Sequence, residues 1–225
     1  NTTGDHNTAV GHNALADNTT GFRNTAVGSL SLDANTTGNY NIAIGYTSLG
    51  LNTVGSSNTS VGYAALQVNT TASNNSAFGN GALYLNTTGN DNTGLGYYAL
   101  GANTTGEDNT AVGNNCLDAN TTGVRNTAVG MNTLSANTTA NNNTALGQGS
   151  MFLNTTGTEN TAVGKSSLDA NTSGDQNVAI GKDALGANTT ADNNTAVGYK
   201  SLEGNLTGHS NVAIGSFALD NANTN

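Results

Sequence analysis

Large apolar side chains return at two places in every seventeen residues. The first closes a short run of the form N-T-A-V, at Val10, Val27, Ile44, Val61, Phe78 and their successors. The second is Leu15, Leu32, Leu49 and on, always Leu except at Met151. Asn, Thr, Gly and small residues fill the space between. A short alternating run bounded by turn residues reads as a strand, and the Gly and Asn content is unfavourable for helix. The pattern predicts one strand over N-T-A-V and a second around A-L-x-A. It predicts a tight turn at N-T-T-G, where Asn bonds its own backbone and Gly takes a positive φ. At Ala72, Ala140 and Ala191 that Gly is replaced, and the Asn-rich residues that follow are expected to take the positive φ instead.

The seventeen-residue unit recurs without insertion or deletion, and thirteen units fill residues 1–221. One unit cannot bury its own apolar side chains; stacked units can, so such a period signals a solenoid. The expected fold is all-β: a parallel β-solenoid, or β-roll, of 17-residue coils and about 13 turns. It forms a single domain over 1–221, with 222–225 as the start of a further repeat or a frayed end. The array begins on a repeat boundary and lacks a distinct cap, which points to a slice of a longer array or a link in a filament. Within each N-T-A-V strand, the large residue at repeat position 10 is expected to fill the solenoid core. Ala9, Ala26, Ala43, Ala111 and their equivalents on the opposite face scarcely vary, so they are expected to pack against another chain.

Two asparagine columns run unbroken. One is Asn7, Asn24, Asn41, Asn58, Asn75, Asn92, Asn109, Asn126, Asn143, Asn160, Asn177, Asn194 and Asn211. It precedes the strand and is read as an inward ladder of stacked amides. The other opens each repeat. Twelve of its members satisfy the glycosylation pattern N-x-[ST]: Asn1, Asn18, Asn35, Asn69, Asn86, Asn103, Asn120, Asn137, Asn154, Asn171, Asn188 and Asn205. They are candidate carriers of one sugar per turn, with turn bonding as the competing explanation. Asn52, followed by Thr53-Val54, is the exception, and Asn58, Asn74, Asn142 and Asn193 carry further sequons.

Composition narrows the chemistry. Leu, Ile, Val and Phe together are about 17% of the chain, a level usually seen in disordered chains, but charged residues are only 8%. The net charge of −9 and five scattered basic residues leave no basic stripe for nucleic acid. No apolar run is long enough to insert into a membrane. His6, His12 and His209 fall at three different repeat positions. Cys116 stands where other repeats have Ala, Ser or Thr, and reads as an inert small residue. Asp33, Asp118, Asp169 and Asp220 share a repeat position on a solvated face. No phosphate loop and no calcium-binding G-G-x-G-x-D pattern is present. No catalytic residue, cofactor or metal site is therefore expected.

The runs NTAVGHNAL, NIAIGYTSL and NVAIGKDAL resemble the head repeats of trimeric autotransporter adhesins, of the form x-x-A-I/V-G-x-x-A/S, and repeats of phage tail-fibre-like and related bacterial surface proteins. About nine residues of every unit carry the resemblance, while the N-T-T-G-x-x turn makes this period longer than the family's. The resemblance implies parallel left-handed β-rolls, three chains to a trimer, working as adhesive heads or stalks. The expected function is a non-enzymatic, extracellular structural or adhesive fibre segment, at a cell surface or on a virion. Its partners would be copies of itself, as a trimer or filament, with a cell-surface or carbohydrate receptor. The alternatives are a glycan-decorated filament and a carbohydrate- or ice-binding solenoid module.

Overall fold

The computed structural model describes residues 2–220; the end at 222–225 and the candidate Asn1 lie outside them. The chain is an all-β parallel β-solenoid with seventeen-residue coils, and no helix occurs among the described residues. It divides into two compact units, Asn1–Asn109 and Thr110–Asn225, each a stack of coils. The first contains β1 (Thr8–Val10), β2 (Thr25–Val27), β3 (Ile42–Ile44), β4 (Thr59–Val61), β5 (Ser76–Phe78) and β6 (Thr93–Leu95). The second contains β7 (Thr110–Val112), β8 (Thr127–Val129), β9 (Thr144–Leu146), β10 (Thr161–Val163), β11 (Val178–Ile180), β12 (Thr195–Val197) and β13 (Val212–Ile214).

Within each unit, every strand pairs in parallel with the next in sequence, and each residue lies beside its equivalent one repeat on. Thr8, Ala9 and Val10 face Thr25, Ala26 and Val27; Thr161, Ala162 and Val163 face Val178, Ala179 and Ile180. The ladder continues past the strand ends, with Thr8 N–H donating to Asn24 O and Gly28 N–H to Val10 O, both at 2.8 Å.

The second predicted strand does not form. The stretch around A-L-x-A is a run of turns, and its Leu residues have left-handed backbones, such as Leu32 at φ 51° and Leu117 at φ 52°. The reason is geometric. Position 14 (Ala, Ser, Thr or Cys) and the adjacent Leu are both buried through most of the stack, whereas successive side chains of a strand point to opposite faces. A left-handed residue bends the chain so that both reach the core. Inter-turn bonding survives the bend: Leu32 N–H donates to Ser48 O at 3.0 Å.

Positive φ falls as expected on an Asn after Ala72, Ala140 and Ala191, at Asn74, Asn142 and Asn193, but the position-4 Gly of the other coils does not take it. Position 6 takes it in every described coil, as at Arg23, Tyr40, Asn74, Asn142 and Asn193, whether Gly or Ala stands at position 4. Gly at position 4 serves closeness instead, where the neighbouring coil approaches: a Cβ on Gly21 would lie 2.5 Å from Gly38 O and 2.8 Å from Asn35 Nδ2. Ala72, Ala140 and Ala191 keep a methyl at that place, buried. The unbroken Gly after each strand has both reasons at once. Gly164 sits at φ 134°, and a Cβ there would be 2.6 Å from Gly181 O.

The strand faces are the reverse of the expectation. From β2 onward, the central residue of each strand is the buried one, and its two neighbours are half-buried or exposed. Ala26, Ala43 and Ala111 are fully buried within the coil itself, not turned toward another chain. They stay small because the coil is thin: a Cβ on Gly94, at the same position, would be 3.0 Å from Ala99 O and 3.4 Å from Leu83 Cγ. The core of each unit is its Ala column, its small position-14 residues and its Leu column, fully buried from Leu32 to Leu100 in the first unit and from Leu117 to Leu202, Met151 included, in the second.

Candidate functional site

Both asparagine columns line the interior. Asn24, Asn41, Asn58 and Asn75, and likewise Asn18, Asn35, Asn52 and Asn69, are buried. The two converge on one atom. Gly38 O accepts from Asn24 Nδ2 at 2.9 Å and from Asn35 Nδ2 at 3.0 Å. Gly55 O accepts from Asn41 at 2.8 Å and Asn52 at 2.9 Å. A carbonyl has two lone pairs, so in these coils, as at Gly89 and Gly174, the position-4 carbonyl is saturated by one amide from each column.

The remaining bonds differ. Position 7 works through backbone: Asn7 Oδ1 accepts Asn24 N–H at 2.9 Å, and Asn160 Oδ1 accepts Asn177 N–H at 2.9 Å. Some neighbouring amides also meet directly, as Asn58 Nδ2 with Asn41 Oδ1 at 3.2 Å. The continuous side-chain amide ladder is at position 1. There Asn35 Nδ2 donates to Asn18 Oδ1 at 2.8 Å and Asn52 Nδ2 to Asn35 Oδ1 at 2.9 Å. In the second unit Asn171 Nδ2 donates to Asn154 Oδ1 at 2.8 Å.

The candidate glycosylation column is therefore corrected. Asn18, Asn35, Asn69, Asn86, Asn103, Asn120, Asn137, Asn154, Asn171, Asn188 and Asn205 are all buried. A sugar would have to sit on Nδ2, the atom that points inward and donates to the position-4 carbonyl. Asn52, which lacks the sequon, makes the same bonds as its neighbours, so turn and ladder bonding accounts for the column. Of the further sequons, Asn58 is buried, whereas Asn74, Asn142 and Asn193 are exposed.

Other polar columns serve the same end. At position 2, Thr19 Oγ1 donates to Thr36 O at 2.9 Å, and Thr36 Oγ1 to Thr53 O at 3.0 Å; the next Thr of each N-T-T run is exposed. Position 5 varies in sequence, and Phe22 and Val124 there carry no acceptor, yet most of its polar residues act as acceptors for the turn before. Asn39 Oδ1, Ser73 Oγ, Asp192 Oδ1 and His209 Nδ1 each accept the backbone N–H of the equivalent residue one repeat earlier. The clue in the sequence is that most residues there are short acceptors. His6 lies beside Asp5 at 3.2 Å. Cys116 is buried with its Sγ–H donating to Ala128 O at 3.2 Å, and burial pushes its thiol up to about 12. Burial also raises the carboxyls of Asp33 and Asp169 above their ordinary range. Asp118 accepts from Ser135 Oγ at 2.8 Å. Among the described residues no group of three or more His, Cys, Asp or Glu is placed to hold a metal. They also hold no helix long and apolar enough to cross a membrane.

What faces outward is the apolar half of each strand. Ile42, Ile44, Phe78 and Leu95 in the first unit, and Leu146 and Ile180 in the second, are large and exposed; Ile44 is 40% exposed and Leu146 46%. Comparison of the chain with family models, with curated proteins and with solved structures found no match.

Proposed function

We propose that the chain is a non-enzymatic structural and adhesive fibre segment, acting outside the cell at a cell surface or on a virion, that assembles with copies of itself through the outer strand face. The observation that carries this reading is the column of outward Val, Ile, Leu and Phe side chains. A coil whose interior is filled by Ala, Leu and Asn has no use for a large apolar residue on the outside of each strand. Covering such a residue contributes roughly 1.5–3 kcal/mol. A column that repeats with every coil can meet an identical column in register, so the contribution grows with each turn. The likeness of the N-T-A-V-G runs to trimeric autotransporter adhesin heads supports the same reading, with three chains as the natural number.

The test is mass in solution. Size exclusion with light scattering on the intact chain is expected to give a homo-oligomer at micromolar concentration. Ile44→Glu combined with Leu146→Glu should give the monomer with an unchanged far-UV spectrum, since both side chains lie outside the core. A monomeric unsubstituted chain would overturn the self-assembly.

A further inference from the structure

The tyrosines are gathered on one part of the chain. Residues 35–102 hold six of the seven, Tyr40, Tyr46, Tyr63, Tyr84, Tyr97 and Tyr98, and one of the nineteen charged residues, Asp91. Four of these tyrosines stand where the chain leaves the strand, and a fifth, Tyr84, lies further along the turns of its coil. Tyr46, Tyr63 and Tyr97 share repeat position 12, Tyr98 follows at 13, and Tyr84 is at 16. Tyr63 is 58% exposed and Tyr97 50%.

The rings form two groups. Tyr46 and Tyr63 stack with centroids 5.6 Å apart and planes inclined by 19°. Tyr98 lies 5.0 Å from Tyr97 and 6.4 Å from Tyr84. Glycines make room for Tyr98: a Cβ on Gly81 would come within 2.8 Å of its ring, and one on Gly101 within 2.6 Å. Between the groups, position 12 is Asn80, exposed and flanked by Gly79 and Gly81. Among the described residues, neither the Asn80 amide nor any of the five hydroxyls is hydrogen-bonded to the protein.

We propose that this face is a binding platform for an uncharged oligosaccharide of pyranose units. The electron-rich face of an aromatic ring attracts the polarised C–H groups on the apolar face of a sugar ring. The free amide and hydroxyls supply the few polar contacts that orient such a ligand. The absence of charge fits a neutral sugar. A nucleic acid strand also stacks on aromatic rings, but it needs cations for its phosphates, and residues 35–102 contain none. From Tyr46 to Tyr97 is three coils, about 14 Å at the ~4.8 Å spacing of paired strands, the length of about three pyranoses. The platform lies at the strand exit, on different residues from the outer strand face, so it does not depend on self-assembly.

The experiment is titration of the full chain with cellohexaose, maltohexaose and chitohexaose, followed by calorimetry and tyrosine fluorescence, with hexagalacturonate and oligo-dT as charged probes. At least one neutral hexasaccharide is expected to bind saturably, and its monosaccharide at least tenfold more weakly. Tyr63→Ala with Tyr97→Ala should weaken binding at least tenfold, and Tyr199→Ala should leave it unchanged, all with the parent far-UV spectrum. No binding of any neutral hexasaccharide at millimolar concentration overturns the proposal. So does equal binding of oligo-dT, or insensitivity to the paired substitution. A fall in solution mass on Tyr63→Ala with Tyr97→Ala would assign the face to a second copy of the chain and overturn it as well. Self-assembly is read separately, from the mass of the unsubstituted chain and of the Ile44→Glu, Leu146→Glu variant.

Discussion

Asparagine is the residue that decides whether one coil recognises the next. Removing Asn24 loses its donation to Gly38 O and strands the Asn41 N–H that Asn24 Oδ1 accepts at 2.9 Å. Removing Asn35 loses the donations to Asn18 and Gly38 and leaves one of the two Asn52 amide hydrogens, the other being held by Gly55 O, without an acceptor. A buried polar group left unpaired costs about 1–3 kcal/mol. Asn24→Ala and Asn35→Ala are therefore expected to destabilise by similar amounts in that range, measured by urea denaturation. Thr37→Ala, at an exposed position, should stay within about 0.5 kcal/mol of the parent. A markedly smaller loss at Asn35 than at Asn24 would contradict the shared role of the columns. Cys116 offers a second test. Its thiol is raised by burial to about 12, so between about pH 9 and pH 12 the unfolded chain releases this proton and the folded one keeps it. Stability from this group is complete below that window and falls through it by about 1.4 kcal/mol per pH unit. Cys116→Ser, which places there the residue that stands at Ser48 and Ser150, should remove that part of the alkaline loss. The native thiol should also resist a disulfide reagent at pH 8 and react once unfolded.

At the scale of the coil, what was legible in the sequence was whatever periodicity reports directly. The seventeen-residue register, the N-T-A-V strand and the parallel stacking follow from unbroken columns, because a slip of one residue would turn Ala26 out and Val27 in. The inward and outward faces of that strand were not legible. An unvarying small residue reads equally well as a tight interior or a tight interface, and only the nearness of Ala99 and Leu83 to position 9 decides for the interior. The bend around A-L-x-A was hidden because left-handed Leu is rare: each such residue is strained by roughly 1–2 kcal/mol. Here the strain is offset by burying a full Leu side chain at every coil. The position-1 sequons misled for a related reason. N-T-T satisfies an enzyme's recognition pattern and a turn's bonding pattern with the same atoms, and only burial tells them apart.

At the scale of the whole molecule, the charge of −9 on 225 residues favours solubility in a chain that leaves apolar side chains on its surface. The charge is uneven. The segment from 35 to 102 is almost free of it and rich in Tyr, whereas Lys165, Lys182, Lys200 and most acidic residues lie in the second unit. Each coil bonds its neighbours through the same atoms, as Asn35 to Asn18 and Asn52 to Asn35 across steps of seventeen residues. Deleting residues 137–153, one full repeat inside the second unit, should therefore leave a chain with the parent's far-UV signal per residue and little change in melting temperature. Deleting residues 137–152 should unfold the coils around the cut, because every column downstream would meet the wrong partner; retention of full protection from hydrogen exchange there would refute the register argument. The double amide seat on the position-4 carbonyl thus acts as a reading frame written in protein. It admits copying errors in whole seventeen-codon steps and rejects all others, so a gene of this kind can lengthen or shorten its product by recombination between repeats while every surviving coil keeps its neighbours.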